Sequence, residues 1–226
     1  MNAWTLRQIA EHIISSVNAF ENTVGSNINP LQVESMIPML RQDAIIAKYN
    51  GNRFLGAQKR IDSDWVQKFE LVVDPAIQSV DAEYLIVNCP KVISINQSVD
   101  GFIYVGREKK LSKFYRAQSR DEIVTLADRG FINDSKHIVY NYADGQLEVY
   151  GNKSLKKIYV EAILQFPSDK PSFNEEFDEY PVSADILSMM VDGYKNSMRI
   201  AISQPADTLS DMTDTKSVRN EKSNLV

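Results

Sequence analysis

Apolar residues at Leu6, Ile9, Ala10, Ile13, Ile14, Val17 and Phe20 return at three- and four-residue intervals. That spacing puts them on one face of a helix about 16 residues long. Gly25 and its polar neighbours end the run. Asn29-Pro30 has the form of a second helix start, with Asn as cap and Pro at the first helical position, where its missing N–H costs little. Val33, Met36, Ile37, Leu40, Ala44, Ile45 and Ala47 follow at helical spacing, and Pro38 among them predicts a kink or a break. Two helices joined by a short polar loop predict an antiparallel pair.

From Trp65 the period shortens. Phe69–Val73, Tyr84–Val87, Val92–Ile95 and Phe102–Val105 are short runs rich in β-branched and aromatic residues. Asp74-Pro75, Cys89-Pro90 and Asp100-Gly101 separate them as turns do. Ser119-Arg120-Asp121-Glu122 has the capping-box form and predicts one inserted short helix, with Gly130 as its stop. Strands resume at Ile138–Tyr142 and Leu147–Tyr150, joined through Asp144-Gly145, a hairpin signal. Between Lys157 and Phe166 the pattern alternates: Ile158, Val160, Ala162, Leu164 and Phe166 on one face, Lys157, Tyr159 and Glu161 on the other.

A last helix is predicted from Ser183 to Ile202, burying Ile186, Leu187, Met190, Val191 and Tyr194. Gly193 inside it costs about 1 kcal/mol against alanine, so a neighbour has to favour it. The order predicts an α+β fold: a mostly antiparallel twisted sheet, an N-terminal helical pair, one inserted helix, a C-terminal helix and an extended polar tail. The expected organisation is one domain over 1–202 and an arm over 203–226. Within the domain, 1–60 is helical, 65–167 strand-rich, 168–182 an acidic loop and 183–202 a helix.

Composition narrows the chemistry. The 226 residues are 43% hydrophobic and 24% charged, with a net charge of −5, an ordinary globular balance that argues against whole-chain attraction to nucleic acid. A chain this long buries roughly 70% of its unfolded surface without disulfides, and Cys89 is its single cysteine. No apolar run reaches a membrane span of about 20 residues, and Met1–Thr5 lacks the basic leader of a secretory signal. With two histidines and no Gly-x-Ser-x-Gly elbow, nucleophilic hydrolysis has no base beside a nucleophile; His12 and His137 read as structural. Cys89, against Pro90, has no basic neighbour to activate it. Zinc would need spaced Cys or His pairs, and Asp207, Asp211 and Asp214 are too far apart for a calcium loop. Gly51 and Gly56 have phosphate-loop spacing, but Ala57-Gln58 replaces the Lys and hydroxyl residue that such a loop requires. These patterns exclude many enzymes, and no metal or cofactor is expected.

Two charged stretches remain. Asp169 to Tyr180 carries five carboxylates against Lys170, with Phe173, Phe177 and Tyr180 interleaved. Glycosidase chemistry needs carboxyls facing across a cleft, and these crowd one loop, although a hydrolase using Glu175 and Asp178 is a third reading. Aromatics in such a loop anchor against a neighbour, in the same chain or in another. Arg107, Lys109, Lys110, Lys113, Arg116 and Arg120 stand against Glu108 alone, with Phe114 and Tyr115 among them. Cations with aromatics can track a nucleic-acid backbone; a solvated loop or hairpin is the plainer reading.

The order of Asp100–Gly106, Asp144–Gly151 leading through to Pro167, the helix entry Tyr180–Ile186 and the tail Pro205–Asp214 resembles structural ring proteins of the head-to-tail connector. Those proteins belong to podovirus-like tailed bacteriophages, particularly the crAss-like phages. The amphipathic first helix and Arg41-Gln42-Asp43-Ala44 are similar too. The resemblance implies a non-enzymatic virion protein at the head–tail junction, assembled in the host cytoplasm. Such copies form a closed ring, typically dodecameric, that meets the portal protein and other connector or tail rings. The ring continues the channel through which DNA passes in genome ejection, without sequence-specific binding and without a membrane. A ring needs a heterologous interface. The residues expected at subunit or neighbour contacts are Phe173, Phe177 and Tyr180 of the acidic loop, with Pro205, Asp207, Leu209, Asp211 and Met212 of the tail. The alternative is a nucleic-acid-binding accessory protein using Arg107, Lys109, Lys110, Lys113 and Arg116.

Overall fold

The computed structural model describes residues 4–20, 28–54, 61–75, 78, 84–96, 99–107, 112–132, 137–143 and 145–203. In chain order the elements are α1 (Leu6–Phe20), α2 (Pro30–Phe54), a 3₁₀ turn (Ser63–Trp65), β1 (Gln67–Val72), β2 (Tyr84–Asn88), β3 (Ser94–Asn96), β4 (Val99–Asp100) and β5 (Phe102–Gly106). Then come β6 (Tyr115–Arg116), α3 (Arg120–Asp128), β7 (Val139–Ala143), β8 (Gln146–Tyr150), β9 (Lys157–Ala162), a second 3₁₀ turn (Pro167–Asp169) and α4 (Ala184–Ser203). The fold is α+β, with the helical pair, the inserted helix and the final helix in the expected places. Expectations for Gly25, Gly56, Lys109, Lys110 and the tail residues Pro205, Asp207, Leu209, Asp211 and Met212 lie outside the described residues.

The three long helices share one core. Ile9, Ala10, Ile13 and Val17 of α1 meet Val33, Ile37, Leu40, Ala44 and Ile45 of α2 and Ile186, Leu187, Met190, Val191 and Tyr194 of α4. Asn29 caps α2 through its Oδ1, 3.0 Å from the Leu31 N–H. Pro38 does not divide α2. A proline inside a helix costs roughly 3 kcal/mol, and apolar contacts on both sides of it, from Val33 and Ile37 to Leu40 and Ala44, hold the two halves as one helix. Gly193 faces Leu40: a Cβ there would stand 3.4 Å from Leu40 Cδ2, an ordinary contact. Gly193→Ala is therefore expected to raise the unfolding free energy by roughly 0.5–1 kcal/mol, read from the denaturant midpoint; a lower midpoint would mean that α4 needs the closer approach.

The strands divide among three sheets, ordered β1-β9-β5, β2-β8-β7-β6 and β3-β4. Every pairing is antiparallel except β6 with β7. A second core lies among the strands: Phe69 and Leu71 of β1, Val105 of β5 and Ile158 and Val160 of β9 cluster with Leu85 and Val87 of β2 and Leu147 and Val149 of β8. The hairpin between β7 and β8 stands where it was predicted, with Ala143 opposite Gln146 and Gly145 at φ +80°, while Asp144 lies outside the described residues. In β9 the predicted inner face holds for Ile158, Val160, Ala162 and Leu164. Tyr159 and Ile163 are buried as well, and Phe166 is 40% exposed. The departure has a physical cause. On the second face the Tyr104 ring of β5 lies 6.0 Å from the Tyr159 ring, and beyond β9 the chain brings Ile163 into the helical core.

Local signals account for α3. Ser119 Oγ accepts from the Glu122 N–H at 3.2 Å, as the capping box requires. The Glu122 carboxylate, though, accepts from the Gln118 N–H at 2.8 Å, one residue earlier than predicted. The helix ends in a Schellman turn, with Phe131 N–H on Leu126 O, Gly130 N–H on Ala127 O and Gly130 at φ +66°. On β2, the Gln78 side chain does what a neighbouring strand would do: its Nε2 donates to Ile86 O at 2.7 Å and its Oε1 accepts from Ile86 N–H at 3.0 Å.

Helices and strands are tied together at Arg41, a residue of α2 with no exposed surface. Its Nε donates to Pro181 O at 2.8 Å, one terminal nitrogen to Leu164 O at 2.9 Å and the other to Trp65 O at 3.0 Å. Beside it, Trp65 Nε1 donates to Ser183 Oγ at 3.0 Å, Ser183 donates to Asp185 at 2.6 Å, and Lys48 pairs with Asp185 while lying 5.0 Å above the Trp65 ring.

Candidate functional site

The acidic loop after the second 3₁₀ turn is held by its own polar groups. Asn174 Oδ1 accepts from the Glu176 N–H at 3.0 Å, and Asp178 Oδ2 accepts from the Asn174 N–H at 2.9 Å. The first is an asparagine turn, and the second closes the loop from four residues further on. The Tyr180 N–H donates to Trp4 O at 2.8 Å and moors the loop to the start of α1. There Thr5 and Gln8 form a reciprocal cap, Thr5 N–H to Gln8 Oε1 at 3.0 Å and Gln8 N–H to Thr5 Oγ1 at 3.4 Å. The Thr-x-x-Gln pattern of that cap stands in the sequence and sequence reading passed over it.

Fixing these segments brings three stretches together around a groove of about 660 Å³: Thr5, Leu6 and Arg7 from α1, Pro30, Leu31 and Glu34 from α2, and Glu175, Glu176 and Phe177 from the loop. Its rim is acidic and its apolar members are far from spent, with Phe177 79% and Leu31 70% exposed. Arg7, the one cation in the lining, is engaged by Glu11 at 3.3 Å. Such a surface binds through apolar contact and selects for positive charge.

The three loop aromatics part company. Phe177 stands in the groove, Phe173 is half-buried against the helical core, and Tyr180 is inside that core at 2% exposure. Tyr180 accordingly anchors within its own chain and its ring offers no surface to a neighbour. Burial pushes its phenol well above the ordinary range, and its hydroxyl has no hydrogen-bond partner among the described residues. Glu175 and Asp178 do not face each other across a cleft: Glu175 lines the groove and Asp178 bonds inside the loop.

The basic stretch is folded into the strand-rich half. Gly106 and Lys113 bridge as a hairpin would, Arg107 is exposed, and Lys113 donates to Ile103 O at 3.1 Å. Arg116 is half-buried, and Phe114 belongs to the sheet core. Tyr115 is tied to Glu122 at 3.0 Å. Arg120 pairs with Glu148 at 2.7 Å. Burial alone would push the Glu148 carboxyl up; the hydrogen bonds from Arg120 and Tyr150 outweigh it and hold the carboxyl below its usual range. Of the aromatics of this stretch, Phe114 is thus buried and Tyr115 is exposed.

Cys89 is buried, and its thiol is pushed up to about 12 by that burial. The His12 ring lies 5.3 Å from Trp4, and His137 stacks on Phe131 at 4.7 Å. Among the described residues no group of His, Cys, Asp and Glu is arranged to hold a metal ion, and no helix is long and apolar enough to cross a membrane. No protein-family model matches the sequence, and a search of curated proteins finds no match.

Proposed function

We propose that this chain is a non-enzymatic structural protein that closes into a ring with copies of itself. By the resemblance of its sequence, that ring belongs to the head-to-tail connector of a podovirus-like, crAss-like phage, next to the portal and continuing the DNA channel. The observation that supports the subunit contact is the outward hold on Phe177 and Leu31. A large aromatic kept in water by a loop that Asn174 and Asp178 brace from within is the form that an interface anchor takes. The groove and whatever enters it are different surfaces, as a heterologous ring contact needs.

The test is the solution mass of the purified chain by light scattering, with and without a portal, followed by imaging of large species. The expected result is a closed ring under at least one of those conditions. Phe177→Asp is expected to shift the mass to that of the monomer while changing the unfolding free energy by less than about 0.5 kcal/mol, as exposed positions do. A wild-type monomer in both conditions, together with DNA affinity that falls steeply between roughly 50 and 200 mM salt, would replace this reading by the nucleic-acid one. A ring unaffected by Phe177→Asp would move the contact elsewhere.

A further inference from the structure

We propose that in the free subunit the groove is occupied by residues Lys216–Val226 of the same chain. Three observations converge on that occupant. The first is where α4 ends. Lys48 of α2 pairs with Asp185, and Leu40 meets Gly193; eight residues back along α2 match eight residues forward along α4. The helices therefore run antiparallel at a common rise of about 1.5 Å per residue. Ten more residues bring the end of α4, Ser203, level with Pro30, which lines the groove.

The second is charge. The rim presents Glu34, Glu175 and Glu176, and its single cation is engaged by Glu11. Residues 204–214 bring only Asp207, Asp211 and Asp214, which such a rim repels. Residues 216–226 bring Lys216, Arg219 and Lys222 against Glu221. The sign of the tail thus reverses, and the cationic part is the complement of the groove. The third is apolar content: Val218, Leu225 and Val226 interleave with those cations, to set against Leu6, Pro30, Leu31 and Phe177. The residues between, 204–215, span at most about 40 Å when extended, a long tether for the segment, whose site lies at the level where α4 ends. Tethering beside the site also gives it a high effective concentration there. This docking differs from the neighbour contact expected of Pro205–Asp214: it uses residues 216–226 and a groove of the same chain. That it also restrains ring closure rests on the proposed function, because the segment has to leave before a neighbour can use Phe177.

The test uses the full chain with Gln32→Cys and Ser217→Cys, treated with a short bismaleimide and read by mass spectrometry on mixed light and heavy-isotope chains. Cys89 does not compete, because its buried thiol stays protonated. The expected result is a bridge within one chain. Lys216→Glu, Arg219→Glu and Lys222→Glu together lower its yield roughly tenfold, and Glu34→Lys, Glu175→Lys and Glu176→Lys restore it. A bridge joining light to heavy chains would overturn the proposal in favour of a neighbour's segment, and so would a yield indifferent to both reversals. The solution mass separates the two readings. A charge-dependent bridge in a chain that never forms rings keeps the docking and removes the ring. Rings without such a bridge do the reverse.

Discussion

Arg41→Ala is expected to lower the unfolding free energy by about 3 kcal/mol or more, because three buried carbonyls lose their donor. The Arg41 guanidinium meets three backbone carbonyls from three separate segments: Trp65 before the first strand, Leu164 beyond the last, and Pro181 at the entry to α4. Burial lowers its pKa to about 10, and the neighbouring Tyr180 works in the opposite direction, so it stays charged at neutral pH. Truncation would strand three buried acceptors, each costing about 1–3 kcal/mol when left unmet, and would open a cavity between helices and strands. Arg41→Lys separates charge from geometry. A point ammonium cannot reach all three carbonyls as the planar fork does, so roughly half the loss should remain. Urea unfolding of both variants is the measurement; a loss below about 1 kcal/mol for alanine would mean that water replaces the guanidinium at little cost.

Gly101→Val should cost about 3 kcal/mol, the upper part of the range for overpacking a filled site. Gly101 is fixed by backbone bonds on both sides: its N–H donates to Ile93 O at 2.7 Å and its carbonyl accepts from Ile163 N–H at 2.9 Å. A Cβ there would stand 2.9 Å from Ile163 O and 3.0 Å from Val92 Cγ1. The first of those atoms is backbone already held by Ile93 N–H at 2.9 Å, so it has nowhere to go. Gly101→Ala should lose less, since it adds the Cβ without the two methyls beyond it. Thermal midpoints of the two variants decide the matter, and equal midpoints for wild type and valine would show that the junction yields freely.

Short-range signals were the legible part of this chain. The Asn29 cap, the Ser119 cap, the Gly130 stop and the Asp144-Gly145 hairpin depend on residues within a few positions of one another, and each is where the sequence puts it. The apolar stripes of α1 and α4 name their own buried residues for the same reason. Of the kink or break that Pro38 predicts, the break does not occur, because a break is a local preference and contacts with two other helices overrule it. Alternation reports one covered face and so puts Tyr159 on the outer one, whereas Tyr159 is buried too. Arg41 reads as an ordinary polar residue of a helix; only the carbonyls of Trp65, Leu164 and Pro181, brought from far along the chain, make it central. The groove was half legible. Phe177 among acids was visible as an oddity, but its association with residues 5–7 and 30–34 depends on helix packing. Phe177 and Tyr180, three residues apart, could not be told apart as surface and core without the bond from Tyr180 to Trp4.

The edge of β2 is finished by a side chain. An amide at the end of Gln78 carries one donor and one acceptor, spaced to imitate the peptide group of an absent strand, and it pairs with both polar groups of Ile86. Edges closed by a helix or a loop change through insertions and rearrangements of many residues. Here one side chain closes the edge at one residue: Gln78→Ala would leave the Ile86 N–H and C=O open to water or to a strand from another copy.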